Sequence, residues 1–467
     1  MKYNSSTYRK GNVIAICIVI FALLLSLVFI FPRTIGNTTQ LSHTANGIDA
    51  DGNILAGEGG AHDVSAASAT SSVQDGRIVS HVTIPKSVKG VYMSSWVAGT
   101  PSIRSKIVKQ IKETEANAVI IDIKDYTGMI SFTPESAHLQ QVGCIENRIK
   151  DISSFIKELH DQNIYVIGRV AVFQDPCAVQ KMPEDAVKTK DGSRIWKDRN
   201  GISWMDAGSK KVWDYNIEIA RVAHEMGFDE INFDYIRYPS DGNMADISFP
   251  VSGNAQKSEV LRTFFQYIDA ELRGGKATGV SLVSATSTRY TEAQDPVFDE
   301  LVHEHGLAID SAAAAQADSS LDGKRVETSI AQMPRMIISA DLFGMVTNNT
   351  DDLGIGQVLE KLAPYVDFIG PMVYPSHYPP NFIGIKNPAG APHAIITHAL
   401  KGGVSKLRAV GLNPLKLRPW LQDFNLGATY TAEMVREQIR ATYEVGLTSW
   451  MLWDASNTYT AGGMLSI

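Results

Sequence analysis

The chain has 467 residues, with 43 Lys and Arg against 50 Asp and Glu and a formal charge of −7. Such mild acidity argues against binding a phosphate backbone, which needs a basic face, so no nucleic-acid partner is expected. With 44% apolar and 20% charged residues it can bury a large core, which excludes intrinsic disorder, collagen-like repeats and a disulfide scaffold for most of its length. A mean hydropathy of −0.07 excludes a polytopic membrane protein, yet that average conceals one strongly apolar segment.

In chain order, residues 1–12 read as a cytoplasmic tail carrying Lys2, Arg9 and Lys10. Residues 13–31, VIAICIVIFALLLSLVFIF, contain no charge and only Ser26 as a polar side chain. At 1.5 Å per residue they reach about 28 Å, close to the hydrocarbon thickness of a bilayer. The positive-inside rule then predicts a single-pass signal anchor, with everything after it outside the cytoplasm. A cleaved signal peptide is the alternative, but its apolar region is ordinarily about 7–15 residues and ends in a small-x-small site. PRTIGNTT does not clearly supply one. Residues 32–86, rich in Ser, Thr, Ala, Gly and Asn without period 2 or 3.6, read as a flexible linker.

From residue 87 to 467, β-rich runs alternate with segments of helical period, as in a parallel sheet with crossover helices. Eight strands are expected, at 90–96, 118–125, 164–173, 230–238, 335–343, 366–374, 416–423 and 447–454. Stripes such as Ile149, Ile152, Phe155, Ile156 and Leu159, or Val435, Ile439 and Tyr443, mark helices between them. Eight strands with seven helical segments predict a (βα)8 TIM-type barrel of the α/β class rather than an open doubly wound sheet. No GxGxxG or GxxxxGK[ST] pattern follows a strand, so no nucleotide cofactor is expected. Residues 274–334 form an insertion before the fifth strand, on the side away from the chemistry. Too few residues follow the last strand for an eighth helix, so the segment before Val88 is expected to close the barrel's bottom or flank.

In such barrels the working residues lie at the C-terminal strand ends. That filter selects Trp96; Asp122, Lys124 and Asp125; Arg169 and Asp175; Asp234, Arg237 and Tyr238; Asp341; Tyr374 and His377; Trp420, Gln422 and Asp423; Trp453 and Asp454. Strand alternation puts Asn232 with Asp234, Asp122 with Lys124, and Ser339 with Asp341 on common faces. Asp234 and Asp341 then come from adjacent strands and can flank one reacting atom. Glycoside hydrolysis needs such a pair, one carboxyl protonated and the other ionised. Lys124, Arg169 and Arg237 can lower one pKa while a neighbouring carboxylate raises the other. The competing reading is an ion-pair network that closes the mouth. Tryptophans 96, 196, 204, 420, 450 and 453 offer flat faces for a sugar, although Trp is also a common core residue. The long third loop suggests a shaped cleft.

Of eleven His residues, only His377 follows a strand's C-terminal end, and His303, Glu304 and His305 lack the HExxH spacing, so no metal site is expected. Cys17 lies in the apolar segment. Cys144 and Cys177 occupy adjacent loops and can form a disulfide outside the cytoplasm, with two free thiols as the alternative.

The motifs VKGVYMSSW, VIIDIKDYTG, IYVIGRVAVFQDP, WKDRNGISWMD, FDEINFDYIRYPSDG, ISADLFG, DLGIGQ, FIGPMVYPSHYPP, RPWLQDF and WMLWDASNTY together resemble the putative glycosyl hydrolase family, a domain of unknown function with a TIM-barrel fold. The resemblance covers roughly residues 88–460 apart from the insertion. It implies an extracytoplasmic, sugar-active barrel, with Asp234 in FDYIRYP as nucleophile or base and Asp341 in SADLFG as its partner. Candidate sugar contacts are Trp96, Asp122, Lys124, Arg169, Asp206, Arg237, Tyr238, Tyr374, His377, Trp420, Gln422, Trp453 and Asp454. The expected activity is hydrolysis of a cell-envelope or extracellular polysaccharide. A barrel that binds envelope glycan or organises the envelope without cleaving it is the alternative.

Overall fold

A computed structural model describes residues 70–74, 77–273 and 335–467. The expected anchor at 13–31, Cys17, most of the linker and the insertion with His303, Glu304 and His305 lie outside the described residues. Among the described residues no helix is long and apolar enough to cross a membrane.

Eight parallel strands close a barrel: β3 (Lys89–Met93), β4 (Ala118–Lys124), β5 (Tyr165–Ala171), β6 (Glu230–Asp234), β7 (Ile337–Phe343), β8 (Phe368–Met372), β9 (Trp420–Gln422) and β10 (Trp450–Trp453), with β10 pairing back to β3. They are the eight expected strands with shorter bounds; seven end before the expected mouth end, whereas Ile337–Phe343 ends where expected and is shorter at its start. Along β4, Ala118 and Ile120 join the interior cluster, while Val119, Ile121 and Ile123 face the helices. Both faces are buried, which explains the nearly continuous apolar run. The helix Ile152–His160 buries Ile152, Phe155, Ile156 and Leu159, the three-four spacing of a single apolar stripe. Ser209 and Thr431 accept from Val212 N and Met434 N to cap two longer crossover helices.

The segment before Val88 and the C-terminal tail are both fastened at the closed end of the barrel. The strands β1 (Thr70–Gln74) and β2 (Arg77–His81) pair as an antiparallel hairpin. They fall within the stretch expected to be linker, so part of that stretch is regular structure. Low-complexity composition obscured the short β-rich run RIVSHV. His81, within the expected linker, is buried and stacks on His224 at 4.4 Å. Val82 N donates to Asp229 Oδ1 at 2.8 Å, and Val82 and Ile84 pack against the interior cluster. The segment before Val88 does close that end. At the other terminus Glu115 N donates to Leu465 O at 2.8 Å, Thr114 bridges Ser466 and Met464 is buried. The tail thus runs back along the barrel where an eighth helix would otherwise lie.

Candidate active site

Strand alternation aims Asp122, Arg169, Asn232, Asp234, Ser339, Asp341, Trp420 and Trp453 into the barrel, and depth sorts them into two tiers. In the lower tier Arg418 donates to Glu230 at 2.8 Å, and Glu230 also accepts from Ser339 Oγ at 2.5 Å and Tyr165 OH at 3.2 Å. This pair is fully buried; the Glu230 oxygens are satisfied, whereas Nε and Nη1 of Arg418 make no hydrogen bond among the described residues, and its guanidinium lies 4.4 Å from the Phe368 ring centroid. The pair forms the floor beneath the site.

The upper tier is organised around Arg169. Its guanidinium donates to Asp122 Oδ1 at 2.6 Å and to Asp234 Oδ2, and its Nε lies 3.8 Å from Asp341 Oδ2. Tyr92 OH closes the far side of Asp122 at 2.5 Å. Burial works against the charge of Arg169, but Asp234 and Asp122 outweigh it and hold its pKa well above the ordinary value. Burial pushes Asp122 up, with Arg169 pulling against it and Asp125 adding to it.

Asp234 and Asp341 sit differently. Asp234 is held by Arg169 and by the backbone N–H of Tyr235 at 2.5 Å. That N–H is aimed by a left-handed backbone at Tyr235, φ +53°, a conformation a bulky residue keeps only where its surroundings enforce it. Asp341 Oδ1 accepts from Asn232 Nδ2 at 3.0 Å and Trp420 Nε1 at 2.8 Å, whereas its buried Oδ2 makes no hydrogen bond among the described residues. Burial first, and then the charge of Asp234, push Asp341 up to about 8 against the pull of Arg169, Asn232 and Trp420. At neutral pH it is therefore mostly a neutral acid beside a carboxylate neutralised by a cation.

Gly370 on β8 explains how Asp341 and Trp420 meet. A Cβ there would lie 2.5 Å from Asp341 Oδ1 and 3.2 Å from the Trp420 ring. Trp453, half-buried, stacks on Tyr92 with centroids 3.9 Å apart and stands 5.1 Å from the Arg169 guanidinium. Tyr374, His377 and Phe424 form an aromatic corner, with Tyr374 5.2 Å from His377 and 5.5 Å from Phe424. Burial pulls His377 down to about 4, so it is neutral. Gln422 accepts from Ser376 N at 3.1 Å and steadies the same loop. Asp454 accepts from Ser456 N at 2.7 Å and lines, with Asp423, Phe424, Tyr459 and Thr460, a cavity of about 450 Å³. Burial raises Asp423 to about 6.

Several expected sugar contacts are occupied elsewhere. A register shift between Asp122 and Lys124 breaks their shared face. Lys124 is fully buried and paired with Asp175 at 2.6 Å. Asp206, also buried, accepts from Gly208 N, Val251 N and Ser252 N. Tyr238 is packed edge-on against Phe249. Arg237 lies over Trp204 at 4.7 Å. Tryptophans 196, 204 and 450 are core residues whose indole N–H groups donate to Asn243 O, Asp198 Oδ2 and Tyr443 OH. The large aromatics of the third loop therefore pack the loop. Trp96 is the exception, 59% exposed. Cys144 and Cys177 form a disulfide that ties the loops after β4 and β5 together. The strand-end filter passed over Tyr92, Gly370, Glu230 and Arg418. Counting back by twos from Asp234 through Asn232 reaches Glu230, so one of these was within reach of the alternation rule.

No curated protein matches the chain. It is similar to a solved hypothetical protein from Ruminiclostridium thermocellum, 35% identical, over 39% of this chain and 93% of that one, with a TM-score of 0.37. It is also similar to the PgaB (BpsB) glycoside hydrolase domain from Bordetella bronchiseptica, 11% identical over 79% of this chain and 94% of that one, TM-score 0.48. A third similarity is to the spore cortex-lytic enzyme SleL of Bacillus megaterium, 11% identical over 83% and 75% of the two chains, TM-score 0.40. The family model described as "Putative glycosyl hydrolase domain" matches residues 90–292 and 324–459. The match narrows the part of the expected insertion without a family counterpart to 293–323. With most of its length matched, including every barrel strand beyond Lys89, the chain belongs to this glycosyl hydrolase family.

Proposed function

We propose that this domain hydrolyses O-glycosidic bonds of a cell-envelope or extracellular polysaccharide, using Asp341 as general acid and Asp234 as nucleophile or as base for water. The observation that carries the reading is Asp341 Oδ2, a buried oxygen with no hydrogen bond among the described residues, on a carboxyl pushed up to about 8. Such a group keeps a proton at neutral pH and can deliver it to a leaving oxygen. Asp234, tied to Arg169 and Tyr235 N, has the stabilised charge that the opposite role needs. Arg169 separates the two tasks by neutralising one carboxylate without supplying a proton. Asp122 and Tyr92 hold Arg169 in place, and Trp453 offers a ring beside it.

On this reading the chain is anchored through residues 13–31 with its barrel outside the cytoplasm. The Cys144–Cys177 disulfide supports an oxidising compartment. A second reading, a barrel that binds glycan without cutting it, draws on the engagement of Asp234 by Arg169.

Asp234→Asn decides between them. Removing a nucleophile or base is expected to lower turnover of an envelope glycan by about 10²–10⁴, with glycan affinity nearly retained and the melting temperature lowered, because the buried Arg169 loses one of its carboxylate partners. Undiminished hydrolysis by the variant rules out the role given to Asp234.

A further inference from the structure

We propose that Trp96 is a remote sugar platform at the same barrel mouth, so that the domain grips a chain of more than two sugars. This inference rests on the glycoside hydrolase reading and adds to it a substrate class, an extended polysaccharide.

Trp96 is held far more firmly than an exposed side chain needs to be. It lies in the short helix Ser95–Ala98, which directly follows β3 on the mouth side. The Arg148 guanidinium lies 4.5 Å from its ring centroid, a cation against a π face. That guanidinium is itself buried, with its side chain 4% exposed, and is fixed by Asp125, by Glu146 Oε2 at 2.6 Å and by Ser95 Oγ at 2.9 Å. Gly99 lets the chain close at this point, because any Cβ there would collide with the Arg148 carbonyl oxygen. Thr100 Oγ1 donates to Trp96 O at 2.8 Å, and Ser94 N donates to Asn457 Oδ1 at 2.9 Å. One face of the indole is backed by a fixed cation while the residue stays 59% exposed. An aromatic surface ordered in advance loses little entropy when a flat ligand settles on it.

Its place in the barrel separates the platform from the paired carboxylates. Trp96 follows β3, whereas Asp234 and Asp341 lie on β6 and β7, three and four strands farther round the ring. Tyr92, Trp453 and Arg169 occupy the intervening mouth. A sugar whose bond is being cut sits at Asp234 and Asp341, so the unit stacked on Trp96 is a different one, farther along the chain. The apolar face of a pyranose suits the free indole face.

The test uses the full-length chain and a panel of gluco-, galacto- and N-acetylglucosamine-based oligosaccharides of two to eight units. Cleavage is followed for the wild type and Trp96→Ala, and affinity is measured on the Asp234→Asn background. Trp96→Ala is expected to raise KM and Kd about tenfold for the longer oligomers, the size of a stacking contact, while kcat and the constants for two-unit substrates stay within twofold. Trp96→Tyr, which keeps a flat ring, is expected to recover most of the loss. An equal loss at every length, or no loss at any length, overturns the platform. If long oligomers bind but the wild type cuts none, the hydrolase reading fails while Trp96 is still tested by affinity. If no oligomer binds, the platform fails with it.

Discussion

Trp420 on β9 donates its indole N–H to Asp341 on β7 at 2.8 Å, reaching across β8 where Gly370 has no side chain to intervene. With Asn232 on the other side, this bond fixes Oδ1 and leaves Oδ2 to carry the proton. The geometry divides one carboxyl into an anchored oxygen and a working one.

Replacing Asp341 by Asn is expected to lower kcat by about 10²–10⁴, the usual contribution of a general acid. The alkaline limb of the pH–rate profile, expected near the pKa of about 8, should vanish with it. Stability carries the same signature. A carboxyl whose folded pKa lies above its unfolded value of 3.8 favours folding in its neutral form, and that advantage is eroded as pH rises from about 4 through about 8. Urea melts at pH 4, 6 and 8.5 should therefore show the variant gaining on the wild type as pH rises. A pH-independent difference would argue against a raised pKa.

Trp420→Phe keeps most of the packing and removes the donor. The lost bond had stabilised the charged form of Asp341, so its pKa should climb further and the alkaline limb should move upward. A destabilisation of about 1–3 kcal/mol is expected from the acceptor left with one partner fewer. Thermal melts and a pH–kcat series read both effects, and a limb that moves downward contradicts the assignment.

Gly370→Ala places a methyl 2.5 Å from Asp341 Oδ1 and 3.0 Å from Met451 Cε. Overpacking of this kind costs about 1–3 kcal/mol, and the carboxyl must turn to relieve it. Activity should fall in the variant by a larger factor than its stability loss accounts for, measured at a temperature where both proteins are folded.

Breaking the Cys144–Cys177 bridge with paired Ser substitutions opens a span of 33 residues. A loss of about 2–4 kcal/mol is expected, read as a lower melting temperature that the wild type reproduces on adding reductant. The loop after β5, whose Asp175 accepts from Ala178 N and pairs with Lys124, should be the first to exchange its amide protons.

The barrel was legible because each strand alternates with a helix whose apolar stripe survives in the sequence, as in Ile152, Phe155, Ile156 and Leu159. The inward aim of Asp122, Arg169, Asp234 and Asp341 was legible too, since alternation along a regular strand is a local property. Lys124 was misassigned where that regularity fails, at a shift of register between strands that no single strand's residues reveal. Trp196 and Trp204 stayed open between a sugar face and core packing because composition does not distinguish an indole offered to solvent from one that fills a long loop. Gly370 escaped notice because its role is the space it leaves between β7 and β9, which exists only once three strands are side by side.

Val82 is held at Asp229 and Leu465 at Glu115, at the pole opposite the one that Asp234 and Asp341 face. A long ligand lying across the mouth therefore meets neither attachment point, only the loops that follow the strands.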